Sequence, residues 1–455
     1  MAIASVNPAT GATFASFEPL SDEGLDRKLA LADKTWRSWR REPVQKRVDL
    51  LRAAARVFTE RRQELGRLAT QEMGKLLTAS LGEVDKCAAG LRWYADEHEK
   101  LLAEEPVKSD AARSWVRFDP LGPVLAVMPW NFPYWQVVRF AAPALLAGNV
   151  GLLKHASSVP QVALALESIF RDAGFPEGCF QTLLIEAKRV EKVVADPRVV
   201  AATLTGSEEA GRSIAAACGR YLKPTVLELG GSDPFLILPS ADLEKAATVA
   251  VAARVQNNGQ SCIAAKRFIV HQDVAEEVER LMAAKMAALR TGDPMDEKTE
   301  LGPLASAQGV EDLEGQVQRS VKAGAKILAG GNRLDRPGFF YAGTVLAQVP
   351  RESAASVEET FGPVAAVLRA RDLDHAIELA NDSRFGLGAA AFTRDEAEID
   401  RLAKELEAGS VFINGMVKSD PRLPFGGIKA SGYGRELSSY GMREFQNVKT
   451  VWVGK

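Results

Sequence analysis

Residues 123–154 have the sequence PVLAVMPWNFPYWQVVRFAAPALLAGNVGLLK, in which two short apolar runs enclose a longer apolar segment. The runs at 124–128 and 150–154 have the length of buried strands, and the segment after Pro133 has the length of a helix. Apolar strands that alternate with helices are typical of a parallel sheet covered on both faces. The stretch therefore predicts a doubly wound α/β domain, in which ligands bind at the carboxyl ends of the strands.

The same alternation continues toward the C-terminus. Apolar runs at 180–185 and 199–205 predict two further strands, with a helix from about 160 to 173. After Gly231 a second strand-and-helix series begins, which predicts a second α/β domain. Its expected strands lie at 234–238, 267–270, 324–329 and 361–368.

The remaining regions have other patterns. In residues 22–105, charged residues alternate with Leu and Ala at three- and four-residue spacing, which predicts helices. Residues 107–118 favour extended structure, which we interpret as a hairpin arm, and residues 449–455 predict a C-terminal strand.

The composition excludes several classes of protein. The chain has 455 residues, enough for two or three domains, and 57 basic and 59 acidic residues give a net charge of −2. Neither a basic block for nucleic acid nor an apolar stretch of membrane-spanning length occurs, so neither partner is expected. The four cysteines and four histidines lack metal-ligand spacing. We therefore expect no metal, no disulfide framework and a reducing, cytoplasmic location.

Two residues stand in segments that suit covalent catalysis. Cys262 lies in the Gly-flanked segment NNGQSCI, and Glu228 lies 34 residues earlier in LELGG. An open thiol suits attack on a carbonyl carbon, and a carboxylate beside a glycine turn suits a general base. A buried structural cysteine and a surface glutamate are the alternative interpretation. Other motifs point to the same chemistry and favour catalysis.

Polar residues also follow the predicted strands. Asn131 comes after the strand at 124–128, where its amide can donate to a developing oxyanion or cap the next helix. On that helix Trp135 and Arg139 lie one turn apart, and an arginine among apolar residues requires an acidic partner from protein or substrate.

A second pair of features predicts a dinucleotide site. The turn at 206–211 opens a helix, so its backbone N–H groups favour a phosphate, although Ser207 could simply be a helix cap. Lys154 ends a buried strand of the same sheet and could reach a ribose, a phosphate or the solvent.

Seven ordered motifs resemble those of the aldehyde dehydrogenase superfamily over essentially the whole chain. They are PWNFP at 129–133, Lys154, TGS at 205–207, LELGG at 227–231, NNGQSC at 257–262, EETFGPV at 358–364 and PFGGIKASGYGRE at 424–436. The resemblance implies an α/β fold with a cofactor-binding domain, an α/β catalytic domain and a β oligomerisation arm that assembles a homodimer or homotetramer. The expected limits are 1–106 with 121–230 for the first, 231–440 for the second, and 107–120 with 441–455 for the arm and tail.

The resemblance also implies a mechanism. Cys262 would form a thiohemiacetal with a small aldehyde, and Asn131 and the Cys262 backbone N–H would hold its oxyanion. Hydride transfer to a nicotinamide would leave a thioester, which water activated by Glu228 would hydrolyse to the free acid. The cofactor contacts would come from Lys154, Ser157, Gly206, Ser207 and Glu359, with Trp130 and Phe361 lining the pocket.

Ser157 bears on the choice of cofactor. NAD-preferring relatives place an acidic residue three positions beyond the lysine, where it accepts from the adenosine ribose. Ser157 occupies that position here and leaves room for a 2′-phosphate beside the Lys154 charge. We therefore expect NADP to be preferred, with NAD tolerated.

The substrate is expected to be a short semialdehyde. Arg139 matches the position of an arginine that binds the substrate carboxylate in succinate-semialdehyde dehydrogenases. Ser419, just before the PFGG segment at 424–427, resembles the serine that those enzymes use beside the arginine, although the local spacing differs by one residue. Gln256 stands where many of those enzymes have a second arginine. Trp135 and Phe425 complete the expected substrate site. The sequence thus favours oxidation of succinic semialdehyde to succinate.

Other functions stay open at this point. The enzyme could oxidise another small aliphatic or dicarboxylic semialdehyde, and a thiol-dependent esterase could use the same Cys262 and Glu228. From a different class, the fold could serve a structural role without catalysis. Intact Cys262, Glu228, Asn131 and Lys154 argue against that last alternative.

Overall fold

A computed structural model describes residues 3–455 of the chain. In the first half, the elements in chain order are β1 (Ile3–Val6), β2 (Thr13–Phe17), α1 (Asp22–Trp39), α2 (Val44–Glu60), α3 (Arg62–Met73), α4 (Leu77–Asp96), α5 (His98–Leu101), β3 (Glu105–Pro106), β4 (Arg113–Pro120), β5 (Pro123–Met128), α6 (Trp135–Ala147), β6 (Val150–His155), α7 (Pro160–Asp172), β7 (Phe180–Thr182), α8 (Val190–Ala195), β8 (Ala201–Thr205), α9 (Glu208–Arg220) and β9 (Thr225–Glu228).

The second half begins after a glycine pair at 230–231. Its elements are β10 (Pro234–Ile237), α10 (Leu243–Val255), β11 (Arg267–His271), α11 (Ala275–Ala287), α12 (Ala307–Lys322), β12 (Lys326–Ala329), β13 (Thr344–Ala347), α13 (Ala354–Val357), β14 (Val364–Ala370), α14 (Leu373–Asn381), β15 (Phe385–Gly386), β16 (Ala389–Phe392), α15 (Glu396–Glu405), β17 (Val411–Ile413), β18 (Ile428–Lys429), β19 (Gly432–Tyr433), α16 (Ser438–Arg443) and β20 (Gln446–Val453).

The first large sheet has the strand order β19-β9-β8-β5-β6-β7. The five strands from β9 to β7 are parallel, and helices connect them, as expected from their uniformly apolar sequences. The chain moves outward from β5 through β6 to β7 and then returns to β8 on the other side of β5. This reversal leaves a crevice at the carboxyl ends of β5 and β8, where doubly wound sheets bind ligands.

The second large sheet has the order β12-β13-β14-β11-β10-β16-β17. All its strands are parallel except β12, which lies antiparallel at the edge with mostly exposed side chains. The predicted strand at 361–368 begins only at Val364, so Phe361 lies in the loop before it. Likewise, the predicted strand at 180–185 ends at Thr182. The α/β architecture itself is confirmed.

Strand β19 links the two halves of the chain. Its residues Gly432 and Tyr433 pair with Glu228 and Leu227 of β9, so a segment late in the sequence becomes the antiparallel edge of the first sheet. The sequence pattern did not indicate this pairing. It places the segment around 424–436 directly against Glu228.

A third, antiparallel sheet has the order β20-β4-β3. Strand β20 pairs with β4 along its whole length, from Gln446 opposite Pro120 to Val453 opposite Arg113. The extended segments predicted at 107–118 and 449–455 therefore belong to one sheet. None of the helices in residues 3–455 is both long and apolar enough to span a bilayer.

Gly259 lies in close contact with a distant loop of the same half of the chain. It lies after α10 with φ of +78°, and a Cβ at this position would collide with the backbone carbonyl group of Gly362. Both the left-handed conformation and the close approach require glycine.

We predict that Gly259→Ala lowers the free energy of unfolding by at least about 2 kcal/mol, because it adds backbone strain to a collision in a packed interior. The matched control is Gly219→Ala in α9, where an added Cβ meets no atom within 4 Å and helix propensity improves. Thermal unfolding followed by circular dichroism measures both. Equal melting temperatures for Gly259→Ala and the unaltered protein would contradict the role given to Gly259.

Candidate active site

Two cavities meet at Cys262. The first, of about 230 Å³, lies between α4, α6 and the loop segments around 256–263 and 418–425. The second, of about 240 Å³, lies at the carboxyl ends of β5 and β8. Cys262 and Gln136 line both. A thiol in this position can face one reactant on each side.

The loop that carries Cys262 has an unusual backbone. Asn257, Asn258 and Gly259 have φ values of 55°, 57° and 78°, so three successive residues are left-handed. Asparagine tolerates this conformation better than most residues, but the strain must be balanced by fixed contacts. The buried Asn258 amide supplies one, because its Nδ2 donates to the Gly74 carbonyl at 2.9 Å.

Lys266 holds the same loop from the opposite side. Its fully buried Nζ donates to the carbonyl oxygens of Ser261 and Cys262, each at 2.8 Å. The same ammonium lies 3.3 Å from Glu359 Oε1, which also accepts from the Gly231 backbone N–H at 3.0 Å. Lys266 thereby connects the nucleophile loop to a carboxylate of the second cavity.

The surroundings of Cys262 favour the neutral form of its thiol. Burial raises the pKa of Cys262 to about 12, although the positive charges of Lys266 and Arg139 favour the thiolate. Since the thiolate is the nucleophilic form, attack requires a proton acceptor near Sγ or additional positive charge beside it.

Asn131 lies next to the same loop. It is buried, and its Nδ2 donates to the Gln260 carbonyl at 3.0 Å. The Asn257 amide donates in turn to the Asn131 backbone oxygen at 2.8 Å. One hydrogen of the Asn131 amide is thus used to fix its orientation, and the second is available to another acceptor in the second cavity.

Glu228 lies outside the lining of both cavities. It is 2% exposed, and neither carboxylate oxygen has a hydrogen-bond partner within residues 3–455. Burial, followed by the charge of Glu436, holds the pKa of Glu228 well above its usual range. Gly426 makes room for it, because a Cβ there would lie 2.7 Å from Glu228 Oε1. Its surroundings thus favour the protonated form, and no hydrogen bond from residues 3–455 holds the carboxyl group in place.

Arg139 has a protein partner for its charge. Its guanidinium forms a buried ion pair with Glu436, donates to Thr205 Oγ1 at 3.1 Å and lies over the Phe425 ring at 4.7 Å. The acidic partner that the sequence demanded is therefore present within the chain. Arg139 still lines the first cavity.

The structure brings the expected substrate residues together in the first cavity. Its lining includes Trp135, Arg139, Gln256, Ser419 and Phe425.

Sequence reasoning missed the contribution of helix α4 to the first cavity. Ala79, Gly82, Glu83 and Lys86 share one helix face and line it. Their i, i+3, i+4, i+7 spacing was present in the sequence. Small and charged residues do not form the apolar stripe by which a packed helix face is identified, so this face did not stand out.

The second cavity contains most of the expected cofactor residues. Its lining includes Trp130, Asn131, Gly206, Ser207, Glu359 and Phe361. The Trp130 and Phe361 rings meet edge to face at 5.8 Å and form one wall. Ser207 is also a helix cap, because its Oγ accepts from the Ala210 backbone N–H at 3.3 Å, so both sequence interpretations of this residue apply.

Lys154 and Ser157 lie outside this lining. Lys154 is the next-to-last residue of β6, beside Val127 of β5; it is 7% exposed, and its Nζ has neither a hydrogen bond nor an ion pair within residues 3–455. Burial lowers its pKa. Ser157 follows in the next loop, where its backbone oxygen accepts from Ala4 N at 3.1 Å.

Comparisons with known proteins agree with this arrangement. The model of the aldehyde dehydrogenase family matches residues 1–451. Succinate-semialdehyde dehydrogenase [NADP(+)] 1 of Mycobacterium tuberculosis H37Rv is 54% identical over 456 residues and all of both chains, and the enzyme of Mycobacterium avium is 54% identical over 458 residues, covering 100% of this chain and 97% of that one.

Solved structures give the same result. The Streptococcus pyogenes succinic semialdehyde dehydrogenase in complex with NADP+ superposes with a TM-score of 0.97 at 38% identity, over 99% of this chain and 100% of that one. An NADP-dependent enzyme of E. coli has a TM-score of 0.97 at 35% identity, over 100% of this chain and 95% of that one.

We predict that Arg139→Met destabilises the protein by about 3–5 kcal/mol, because it leaves the buried Glu436 without its counter-charge. Arg37→Met is the control, since it removes a solvent-exposed pair with Asp33 that is expected to contribute less than about 1 kcal/mol. Urea unfolding measures both. The double variant Arg139→Met/Glu436→Gln should regain much of the loss, and an unchanged unfolding midpoint for Arg139→Met would contradict the ion pair.

Proposed function

The chain belongs to the aldehyde dehydrogenase family, and we propose that it oxidises succinic semialdehyde to succinate with NADP. The observation that carries the proposal is the position of Cys262 between two cavities, one lined by lysine and arginine side chains and the other placed at the switch point of a doubly wound sheet. Full-length relatives that are 54% identical bear the corresponding name.

The residues of the second cavity fit a dinucleotide. Trp130 and Phe361 offer an apolar wall, and Gly206 and Ser207 stand at the N-terminus of α9. No carboxylate of residues 3–455 neutralises the buried Lys154. We assign Lys154 and Ser157 to the adenosine ribose and its 2′-phosphate, which a carboxylate at 157 would repel. NADP, when bound there, supplies the hydride acceptor.

In the first half of the reaction, Cys262 Sγ gives its proton to solvent in the cavities and bonds to the aldehyde carbon, whose oxygen takes the negative charge. The second amide hydrogen of Asn131 and the Cys262 backbone N–H donate to the oxygen as it becomes negative, and one such donor typically contributes about 3 kcal/mol. Lys266 keeps the Cys262 backbone in position for this contact. Once the carbon has given up its hydride, a thioester to Cys262 remains.

In the second half, Glu228 serves as the general base. Because neither oxygen of its carboxyl group is held by a hydrogen bond, the side chain can turn past Gly426 toward the thioester and ionise there. It then takes a proton from the water that attacks the thioester carbon, the C–S bond breaks to release succinate, and Glu228 returns the proton to Cys262 Sγ.

The first cavity suits a short substrate. Its volume of about 230 Å³ is below the roughly 300–1,000 Å³ that is usual for drug-sized ligands. Trp135 and Phe425 supply apolar walls, and Gln256 and Ser419 supply neutral hydrogen-bonding groups. Arg139 adds positive potential, although Glu436 already balances its charge.

We further propose that the chain acts in the cytoplasm as a homodimer or homotetramer. The sheet β20-β4-β3 supports the assembly, since Val448 and Trp452 on its surface are 63% and 56% exposed and suit burial against a second subunit. The four cysteines Cys87, Cys179, Cys218 and Cys262 are present as thiols, which suits a reducing compartment.

The reaction is tested by following NADPH formation at 340 nm with succinic semialdehyde, glutaric semialdehyde and butanal. We expect the first to have the highest kcat/KM. Cys262→Ala should form no NADPH. Glu228→Gln should release one equivalent in a burst and then turn over about 100- to 10,000-fold more slowly, because the thioester accumulates.

The pH dependence of kcat tests whether Glu228 acts as a base. A base acts only when deprotonated, so kcat should rise with pH through an apparent pKa above the usual glutamate range, and Glu228→Gln should lose that rise. A Glu228→Gln protein with unaltered steady-state turnover would contradict the assignment, and an unaltered rate for Cys262→Ala would remove the proposed reaction.

We predict that Ser157→Glu moves cofactor preference toward NAD, because the added carboxylate accepts from the ribose 2′-hydroxyl and repels a 2′-phosphate. The measurement is the ratio of kcat/KM for NADP and NAD at fixed semialdehyde concentration. Ser158→Glu, which adds the same charge one residue further, is the control. An unchanged ratio in Ser157→Glu would refute the role of Ser157.

A further inference from the structure

The first cavity contains one half-buried cation that no carboxylate of residues 3–455 neutralises. Lys75 forms a buried ion pair with Glu83, and Arg139 forms one with Glu436. Lys86 lines the same cavity, and no carboxylate of residues 3–455 lies within 4 Å of its Nζ. A half-buried ammonium without a counter-charge is costly unless an anion joins it.

The hydrogen bonds around Lys86 leave donors without acceptors. Ser419 Oγ accepts from Lys86 Nζ at 2.7 Å and from Trp135 Nε1 at 2.9 Å, so both of its lone pairs are used. Its own hydrogen then points away from both donors, and two of the three Lys86 N–H groups have no partner within residues 3–455. The Lys86 ammonium also lies 4.5 Å from the centre of the Trp135 ring.

Helix α4 builds this arrangement. Ala79 and Gly82, two turns and one turn before Lys86, are small residues in the cavity lining and leave space above the ammonium. Gly90, one turn after it, seats the indole, since a Cβ there would lie 2.9 Å from a Trp135 ring carbon. The helix therefore fixes both the cation and the ring against which it packs.

We propose that the Lys86 ammonium and the Ser419 hydroxyl together bind the carboxylate of the aldehyde substrate, and that Lys86 determines the preference for a dicarboxylic semialdehyde. The inference rests on the proposed function and specifies which residue selects its substrate. A carboxylate supplies the acceptors that the donor cluster lacks and the negative charge that Lys86 lacks. Arg139, whose charge Glu436 balances, then contributes to the pocket without being the sole anchor of the carboxylate.

The titration of Lys86 predicts that carboxylate binding depends on pH. Burial, and second the positive charge of Arg139, lower the pKa of Lys86 to about 8, whereas Cys87 and Glu83 on its own helix and Asp420 on the facing loop raise it. Lys75 and Lys418 are the other cations of the cavity lining. Lys86 carries its positive charge below this pH and loses it above this pH, so carboxylate binding should weaken as pH rises.

The test compares succinic semialdehyde with butanal, which has the same number of carbons and no carboxylate. In Lys86→Met, kcat/KM for the semialdehyde should fall about 10- to 100-fold, mainly through KM, while the butanal value stays within about twofold. Lys86→Arg should retain most of the preference, and Lys86→Gln, which keeps a donor to Ser419, serves if Lys86→Met does not fold. Lys100→Met, on the exposed surface of α5, controls for a general loss of positive charge.

The outcomes separate the two proposals. A higher kcat/KM for butanal than for succinic semialdehyde in the wild-type protein would rule out the proposed substrate. Wild-type protein that favours the semialdehyde, together with a Lys86→Met variant that keeps this preference or loses both activities equally, would overturn the role of Lys86. A selective loss in Lys418→Met but not in Lys86→Met would overturn it as well.

The pH dependence is read from the ratio of kcat/KM for the two aldehydes, in which groups common to both reactions cancel. The ratio should fall above about pH 8 in the wild type and stay level in Lys86→Arg. A wild-type ratio that is constant from pH 7 to 10 would contradict an ionisable lysine at the carboxylate.

Discussion

Lys266 makes the contact on which the active site depends. Its ammonium is fully buried, and it is stabilised there by two carbonyl oxygens of the nucleophile segment and by the carboxylate of Glu359. Because one cation satisfies acceptors from both sides, the backbone of Cys262 and the wall of the second cavity cannot move independently. The left-handed residues Asn257 and Asn258 are tolerated only because such contacts hold the loop on all sides.

Burial sets the charge state of the reactive groups. Burial favours the neutral forms of the Cys262 thiol and the Glu228 carboxyl, whereas the proposed steps require their ionised forms. The chemistry therefore depends on changes that follow binding of the reactants. Glu228, with no hydrogen bond to break, can respond to such a change at little cost.

Much of this arrangement follows from the sequence. Uniformly apolar runs such as 124–128 predicted the parallel strands, and strand ends placed Asn131 and Ser207 near one another because parallel strands share a carboxyl edge. The motif resemblance supplied the residue roles. Both cavities contain the side chains expected of them, apart from Lys154, Ser157 and Glu228, which lie outside the linings.

What the sequence could not provide depends on contacts between distant segments. No local pattern indicated that Glu436 would neutralise Arg139, or that Gly432 and Tyr433 would pair with the strand of Glu228. Lys86 escaped notice for a different reason, since its helix face carries Ala, Gly and Glu rather than an apolar stripe.

The raised pKa of Cys262 has a consequence for the lifetime of the protein. Peroxides attack thiolates far faster than thiols, so a cysteine that stays protonated resists conversion to sulfenic and sulfinic acids. Ala264, two residues along, also removes a neighbouring sulfur that could trap such damage as a disulfide. A raised pKa thus lowers the rate of oxidation at rest, and the sulfur is most vulnerable to oxidants during the part of the catalytic cycle in which it is ionised.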